Sequence, residues 1–258
     1  MSTDELLYRR EGAVAFITFN RPQARNAMTW DMYEALYESC ERIDADEEVR
    51  VAVLRGVGGK AFVAGTDIRQ FLEFKTADDG LAYERRIGRI VNRLEAVQVP
   101  TVAVIDGYAV GGGLALAAVC DLRLCTKDAQ FGLPIARTLG NCVSMDTVAR
   151  LVALIGSART LQLVYTAAFF SADQAFDAGL ATEIVPADQL DAQVTKLTET
   201  LVRHAPLTMR VTKEAIHRLR TSNVPSGDDL VATCYGSADF HEGVRAFIDK
   251  RQPQWKGR

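Results

Sequence analysis

Strand-like and helix-like hydrophobic patterns alternate along the first two thirds of the chain. Apolar and polar side chains alternate on both sides of Glu11-Gly12, which predicts a β-hairpin. Thr29 is a good helix N-cap, and the apolar positions after it recur at helical spacing. Short β-branched runs between the helical patterns predict buried strands. The predicted strands cover residues 6–10, 14–20, 49–54, 62–65, 101–105, 120–125, 129–132 and 182–185.

Helical patterns lie between several of these strands and then occupy the whole C-terminal part. Gly156 is expected to end one helix before the next begins. After Pro186 the apolar positions keep helical spacing without a further strand. Alternating strands and helices predict an α/β fold with a parallel sheet and crossover helices. We therefore predict an α/β core over residues 1–186 and a helical region over residues 187–258.

Composition and charge narrow the class of protein. The chain has 258 residues, 48% of them hydrophobic, with a net charge of −3 and a pI of about 5.7, so its charge does not favour nucleic acid. Five scattered cysteines without a CxxC pair, and three separate histidines, predict neither a disulfide framework nor a metal site. The N-terminus lacks a signal-peptide pattern, and no apolar run has membrane-spanning length. We expect a cytoplasmic protein that does not enter the membrane.

Three consecutive glycines, Gly111 to Gly113, follow an apolar strand pattern and precede an alanine- and leucine-rich helix. Glycine lets another group approach the backbone closely. The first N–H groups of a helix have no partner within it, and they attract negative charge. One interpretation is a site for a partial negative charge. The other is that the glycines only allow close helix packing.

Other glycine-rich sites do not fit this sequence. A dinucleotide fingerprint needs GxGxxG, but leucine stands at the third glycine position and no acidic residue follows at the ribose position. A phosphate loop needs GK followed by Ser or Thr, and a serine hydrolase needs GxSxG; the chain has neither.

A second glycine turn, Gly65-Thr66-Asp67, follows another short strand pattern. Thr66 can offer its backbone N–H there, from a turn held by Asp67. Two N–H groups from separate segments that meet at one oxygen form an oxyanion hole. Each donor of such a hole contributes about 2.7–4 kcal/mol to a transition state that develops charge on that oxygen.

These segments, with others in the same order, resemble the crotonase superfamily of enoyl-CoA hydratases and isomerases. The resemblance covers essentially the whole chain. Its motifs are residues 20–27 (NRPQARNA), 61–68 (AFVAGTDI), 106–113 (DGYAVGGG), 120–123 (CDLR), 131–134 (FGLP), 178–180 (AGL) and 250–258 (KRQPQWKGR). The resemblance implies a spiral of ββα repeats with a helical C-terminal trimerisation region. It also implies a homotrimer, or a hexamer made of two trimers.

The resemblance further implies an acyl-CoA-processing enzyme, of the kind found in fatty acid metabolism. The backbone N–H groups of Thr66 and Gly112 would polarise the thioester carbonyl and stabilise enolate-like charge. Coenzyme A would enter as part of the substrate, with no other cofactor. The implied coenzyme A contacts are Ala24, Arg25, Ala64, Asp67 and Ile68, with Phe247 and Lys250 lent by a neighbouring subunit.

The sequence departs from the hydratases at two positions. Ala115 and Ile135 stand where those enzymes carry their two acid–base glutamates. Neither side chain can transfer a proton, and loss of one general acid or base costs about 10²–10⁴-fold in rate. The resemblance therefore supports activation of an acyl-CoA and leaves open the acyl group and the reaction, whether hydration, isomerisation or another.

Several readings of this departure stay open. Cys142 follows Gly140-Asn141, where one family member has an aspartate nucleophile, and the next helix start would lower its thiol pKa. Alternatively Cys142 is a buried filler. Asp146 is a candidate base or a first-turn helix charge. A catalytically silent acyl-CoA-binding protein is the remaining alternative. We also expect Tyr83 and Asn92 to line the acyl pocket.

Overall fold

The computed structural model describes residues 4–222 and 226–256, which form two stacked sheets surrounded by helices. In chain order the strands are β1 (Leu6–Glu11), β2 (Val14–Phe19), β3 (Val51–Gly56), β4 (Ala61–Val63), β5 (Thr101–Ile105), β6 (Tyr108–Val110), β7 (Leu122–Thr126), β8 (Gln130–Gly132), β9 (Phe170–Ser171) and β10 (Glu183–Val185). The larger sheet has the order β1-β2-β3-β5-β7-β10, and the smaller has the order β4-β6-β8-β9. Neighbouring strands are parallel except in the pairs β1–β2 and β8–β9.

Helices follow most of the strands and make up the C-terminal part. They are α1 (Trp30–Ala45), α2 (Ala77–Glu95), α3 (Gly112–Val119), α4 (Ile135–Thr138), α5 (Met145–Tyr165), α6 (Ala172–Asp177), α7 (Leu190–Arg203), α8 (Pro206–Thr221), α9 (Asp228–Tyr235) and α10 (Ala238–Ile248). The side chain of Thr29 accepts a hydrogen bond from the Met32 N–H, as expected of the N-cap of α1.

The main hydrophobic core lies between the two sheets. Alternate residues of β2, namely Ala15, Ile17 and Phe19, are fully buried there. Phe19 of the larger sheet contacts Phe62 of the smaller sheet edge-to-face, with ring centroids 5.2 Å apart. This packing fixes the strand-to-helix turns at the ends of β4 and β6, which form the site described below.

The α/β fold, the hairpin and all eight predicted strands are confirmed. Helix α5 is interrupted at Gly156, whose φ of 78° and ψ of 160° are not helical, so the predicted break is also confirmed. The sequence did not predict β6, β9, α4 or α6, which have two to six residues each. Elements this short do not show a hydrophobic period, because a period needs several residues to repeat.

The expectation that no apolar segment has membrane-spanning length is wrong for α5. Among the described residues one helix, α5, is long and apolar enough to cross a membrane by length and composition. However, α5 contains Arg150, which is 3% exposed and forms an ion pair of 2.8 Å with Glu95. It also breaks at Gly156. We therefore describe α5 as a helix of the folded domain.

The C-terminal helices pack against the α/β core at two places. Helix α7 covers the outer face of the larger sheet, where Leu190 and Val194 meet Val51 and Val53. Helices α9 and α10 pack near α2 and the short 3-10 turn Ile68–Phe71. This second contact builds an aromatic cluster, which we define as Phe71, Phe74, Tyr83, Tyr235 and Phe240.

Candidate active site

The turn after β4 leaves the backbone N–H of Thr66 unused by the neighbouring chain segment. Thr66 forms a parallel bridge with Met28. The bridge consists of two hydrogen bonds of 2.9 Å, from the Met28 N–H to the Gly65 carbonyl and from the Asp67 N–H to the Met28 carbonyl. Both bonds use the residues on either side of Thr66, so its own N–H is not part of the bridge.

The turn after β6 brings Gly112 beside Thr66. Gly111 has a φ of 57° and a ψ of −121°, a conformation that requires glycine, and its N–H donates to the Gly132 carbonyl. Gly112 is the first residue of α3, where N–H groups have no acceptor within the helix. A Cβ placed on Gly112 would lie 3.8 Å from the Thr66 nitrogen. The two candidate donors predicted from the sequence are therefore neighbours.

Gly113 has a different role from Gly112. A Cβ on Gly113 would lie only 1.9 Å from the carbonyl oxygen of Val63 in β4. The packing interpretation of the glycines therefore applies to Gly113, since only glycine lets α3 approach β4 this closely. At Gly112 the nearest atoms belong to polar groups, the Tyr33 hydroxyl at 2.9 Å and Thr66 Oγ1 at 3.4 Å from such a Cβ.

Three hydroxyl groups form a chain next to these N–H groups, and we call Tyr33, Thr66 and Tyr83 the hydroxyl cluster. The Tyr33 hydroxyl lies 2.8 Å from Thr66 Oγ1, which lies 2.9 Å from the Tyr83 hydroxyl. Tyr33 is fully buried, while Tyr83 is 9% exposed and Thr66 is half-buried. Burial raises the pKa of both tyrosines, so both stay neutral hydrogen-bond donors near neutral pH.

A half-buried carboxyl group lies one residue along the chain from Tyr83. The Tyr235 hydroxyl donates to Glu84 Oε1 at 2.7 Å, and Asn141 Nδ2 lies 3.4 Å from the same hydroxyl. Burial raises the pKa of Glu84 to about 7. Glu84 also borders a cavity of about 370 Å³ between α2, the start of α5 and the start of α9.

The same cavity brings together two residues that the sequence suggested separately. Asn92 Nδ2 donates to Asp146 Oδ2 at 3.3 Å, and both residues line the cavity with Glu84. Asp146 lies in the first turn of α5. The sequence suggested neither Glu84 nor Tyr33 as a site residue. The sequence does contain one sign that Glu84 is unusual. It lies three residues before Ile87 and seven before Val91, which places a charged residue on the apolar face of α2.

Cys142 does not have the lowered thiol pKa expected from the start of the next helix. Its side chain shares a hydrogen bond with Cys234, and this bond together with burial raises the pKa of Cys142. Cys142 packs at the edge of the aromatic cluster, against residues of α9. Helix α5 has its N-cap at Ser144, two residues further on, so the thiol does not occupy the first turn.

Five of the seven implied coenzyme A contacts lie together around the turn that carries Thr66. Ala24 and Arg25 end a tight turn, and the Ala64 N–H donates to the Arg25 carbonyl at 3.1 Å. Asp67 precedes Ile68, and its side chain accepts a hydrogen bond from the Arg69 N–H as N-cap of the 3-10 turn Ile68–Phe71.

Two cations hold the Asp67 carboxylate in place. Arg69 and Arg21 donate to it at 2.6 and 2.9 Å, and they lower the pKa of Asp67 to about 2.

The remaining two implied coenzyme A contacts are elsewhere on the surface. Phe247 is 49% exposed at the end of α10, and Lys250 follows that helix with a φ of 54°.

Of the two positions of the implied glutamates, that of Ala115 lies close to the oxyanion donors. Ala115 is half-buried one turn after Gly112, and its N–H donates to the Gly111 carbonyl at 3.1 Å. Ile135 is the first residue of α4 and is 8% exposed. Both are apolar side chains, so neither offers a proton to a bound group.

Comparisons with known proteins agree with this architecture. The enoyl-CoA hydratase/isomerase family model matches residues 9–258. A short-chain-enoyl-CoA hydratase from Clostridium acetobutylicum is 31% identical over 256 residues, which cover 98% of this chain and 97% of the relative. The crystal structure of an enoyl-CoA hydratase/carnithine racemase from Magnetospirillum magneticum is 33% identical, with a TM-score of 0.82 and coverage of 100% and 97%. A methylmalonyl-CoA decarboxylase complexed with 2-nitronate-propionyl-CoA is 23% identical with a TM-score of 0.90 over both whole chains, which shows the shared fold.

Proposed function

Because the chain belongs to the enoyl-CoA hydratase/isomerase family and is an acyl-CoA-processing enzyme, we propose that Thr66 and Gly112 form its oxyanion hole. Their backbone N–H groups would hold the thioester oxygen of a bound acyl-CoA. The observation that carries the proposal is the pair of adjacent N–H groups, one left free by the Met28 bridge and one at the start of α3.

The two donors act on the charge that develops on the thioester oxygen. An enolate or a tetrahedral adduct places a negative charge on that oxygen, and fixed N–H groups stabilise it without reorganisation. The N-terminus of α3 adds the positive end of the helix dipole at the same point. The site therefore lowers the barrier for any reaction that passes through such an intermediate.

The proposed enzyme does not use the usual pair of glutamates. With Ala115 and Ile135 at those positions, proton transfer falls to other groups of the site or to the substrate itself. We propose that coenzyme A binds at Ala24, Arg25, Ala64, Asp67 and Ile68, with no other cofactor. We also propose a homotrimer or hexamer in the cytoplasm, in which Phe247 and Lys250 reach the coenzyme A of a neighbouring subunit.

Two variants of Gly112 test the oxyanion hole. Proline is tolerated at the first position of a helix and removes the N–H donor, so Gly112→Pro should lower kcat by about 10²–10³-fold. Gly112→Ala is the matched control, because it adds the same Cβ next to Tyr33 but keeps the N–H. Equal losses in both variants, at equal thermal stability, would show that the N–H is not used.

A substrate panel identifies the reaction. Purified protein is incubated with enoyl-, hydroxyacyl- and malonyl-type CoA esters, and the products are measured by mass spectrometry. Turnover of at least one ester is expected. Tight binding of acyl-CoA in calorimetry without any product would favour the silent binding protein instead.

The same mass spectra test the nucleophilic alternative. A thioester enzyme that uses Cys142 would carry an acyl group on that residue during turnover. The raised pKa of Cys142 argues against a reactive thiolate, because the thiolate is the nucleophilic form. We expect Cys142 to remain unmodified.

A further inference from the structure

We propose that the hydroxyl cluster supplies a third hydrogen-bond donor to the oxyanion hole, from the side chain of Thr66 or Tyr83. The proposal deepens the proposed function and rests on it, since it assigns a side chain to the oxygen that the two N–H groups hold. It makes Thr66 a residue that contributes both its backbone and its side chain to the site.

The hydroxyl cluster has more O–H protons than internal hydrogen bonds. The hydroxyl cluster contains three O–H groups, and each can donate one hydrogen bond. Its members are joined by two hydrogen bonds, at 2.8 Å between Tyr33 and Thr66 and at 2.9 Å between Thr66 and Tyr83. Two bonds use two protons, so one hydroxyl proton remains for another acceptor.

The burial of Tyr33 determines which residues can carry the unused proton. Tyr33 is fully buried, and within residues 4–222 and 226–256 its hydroxyl has a hydrogen-bond contact with Thr66 alone. A buried donor without an acceptor is strongly unfavourable, so Tyr33 donates to Thr66 Oγ1. The unused proton is therefore on Thr66, if Tyr83 donates to Thr66, or on Tyr83, if Thr66 donates to Tyr83.

The Thr66 hydroxyl is close to the oxyanion donors. Thr66 Oγ1 lies 3.4 Å from the position of a Cβ on Gly112, closer than the Thr66 nitrogen itself, at 3.8 Å. Thr66 and Tyr83 also retain some exposure, whereas Tyr33 has none. If Thr66 carries the unused proton, its O–H lies beside the N–H groups of Thr66 and Gly112. If Tyr83 carries it, the donor lies 2.9 Å further along the cluster.

A neutral hydroxyl donor favours an anionic acceptor. Raised pKa values keep the tyrosines protonated, so the cluster offers a neutral donor. A neutral hydroxyl forms a shorter and stronger hydrogen bond to an anionic oxygen than to a neutral carbonyl. The third donor would therefore favour the enolate over the bound substrate, and its loss should lower kcat more than it raises KM.

Because one O–H proton of the cluster is unused, variants that remove one hydroxyl and variants that remove two should differ in kcat. In Tyr83→Phe the Thr66 hydroxyl can still donate, and in Thr66→Val the Tyr83 hydroxyl can still donate. The double variant removes both possibilities and is expected to lose about 10²-fold in kcat, far more than either single variant. Tyr8→Phe is the matched control, because it removes a buried tyrosine hydroxyl that lies outside the hydroxyl cluster.

Infrared difference spectroscopy tests the proposal without requiring turnover. Butyryl-CoA labelled with ¹³C at the carbonyl is the probe, and hydrogen bonds to that oxygen lower its stretching frequency. We expect a large downward shift on binding to wild type and Tyr8→Phe, and a clearly smaller shift in the double variant. Calorimetry confirms that each variant binds the probe.

The outcomes separate the two proposals. If wild type binds butyryl-CoA and the carbonyl frequency does not change, the oxyanion hole itself is absent. If Gly112→Pro reduces the shift but the double variant keeps both the wild-type shift and the wild-type kcat, the hole exists without a third donor. An equal loss in Tyr8→Phe and in the double variant would likewise overturn the assignment to Thr66 or Tyr83.

Discussion

Gly112 and Gly113 are adjacent, yet the surrounding atoms give them separate roles. Gly113 faces the backbone of β4, which cannot move away from an added methyl group. We expect Gly113→Ala to destabilise the protein by about 3 kcal/mol or more, at the upper end of overpacking effects, or to prevent folding. Urea denaturation measures this change.

Gly88 provides the control for that substitution. It lies inside α2, and a Cβ placed on it meets no atom within 4 Å. Gly88→Ala should therefore stabilise the protein by up to about 1 kcal/mol through the helix propensity of alanine. If Gly113→Ala were as stable as Gly88→Ala, the close approach of α3 to β4 would be refuted.

Glu84 makes stability depend on pH in a defined window. Its pKa in the folded protein is about 7, above the unfolded value of 4.5, so the folded state binds the proton more tightly. Stability is therefore greatest below about pH 4.5 with respect to this group, and it falls as the pH rises towards 7, by at most about 3 kcal/mol. Glu84→Gln should remove that fall.

The measurement is the free energy of unfolding of wild type and variant at pH 5 and pH 8. Glutamine keeps an oxygen that can accept from Tyr235, so the geometry is retained while the titration is lost. The exposed Glu73, just before α2, provides the control as Glu73→Gln. A Glu84→Gln profile parallel to that of wild type would contradict the raised pKa.

In the proposed site, the backbone donors could be predicted from the sequence more readily than the side-chain partners. Thr66 and Gly112 could be predicted because each follows a glycine turn, and a turn of this kind is a local property of the chain. Tyr33 fits the apolar period of α1, so the sequence gives no sign that its hydroxyl meets Thr66. The partner lies 33 residues away and is brought there only by the fold.

At the scale of elements, Arg123 joins the end of α3 to the turn before β10. It is 3% exposed, and its guanidinium donates to the carbonyls of Ala117 and Cys120 at the end of α3 and to that of Leu180. The CDLR motif that contains it is thus explained by a structural role. The guanidinium supplies donors for helix carbonyls that have no partner within α3.

Removing this side chain should be costly. Arg123→Met would leave these carbonyl groups without their donor, and we expect a loss of about 3 kcal/mol or more in unfolding free energy. Arg55 is a suitable control, because it forms a surface ion pair with Asp191, and Arg55→Met should change stability by less than about 1 kcal/mol. Similar effects in both variants would argue against the capping role.

Most of the elements that could not be predicted from the sequence are short. The three-residue β6 lies between the strand β5 and the glycines, and it becomes a strand only because β4 and β8 pair with it. Long elements such as α1 and β5 were predictable, since their pattern repeats within one segment. Pairing partners distant in sequence leave no such local signal.

At the scale of the whole molecule, helix α8 is attached to the fold differently from the other long helices. None of its described residues is buried. It is held by ion pairs instead, from Lys213 to Asp121 at 2.9 Å and from Arg220 to Glu95 at 2.6 Å. Its exposed apolar side chains are Leu207, Val211, Ile216 and Leu219, which are 69%, 60%, 64% and 80% exposed.

An apolar helix face of this kind in a single chain favours a protein–protein interface. The proposed trimer would cover it, and charge placed there should prevent assembly because a buried, unpaired carboxylate is strongly unfavourable. We expect wild type to be a trimer or a hexamer of the 28.3 kDa chain in light scattering, and Val211→Glu/Leu219→Glu to be a monomer. Ala192→Glu, which adds a charge to the exposed side of α7, should assemble as wild type does.

Assembly and ligand binding should change together if a neighbouring subunit completes the site. Phe247 is exposed in the single chain, and the proposed contact of Phe247 and Lys250 with coenzyme A requires a second copy. The monomeric variant should therefore bind butyryl-CoA at least about tenfold more weakly, which corresponds to about 1.4 kcal/mol. Phe247→Ala/Lys250→Ala should lose similar affinity while remaining assembled. A monomeric variant with wild-type affinity would show that one subunit holds the whole coenzyme A site, and a monomeric wild type would refute the proposed assembly.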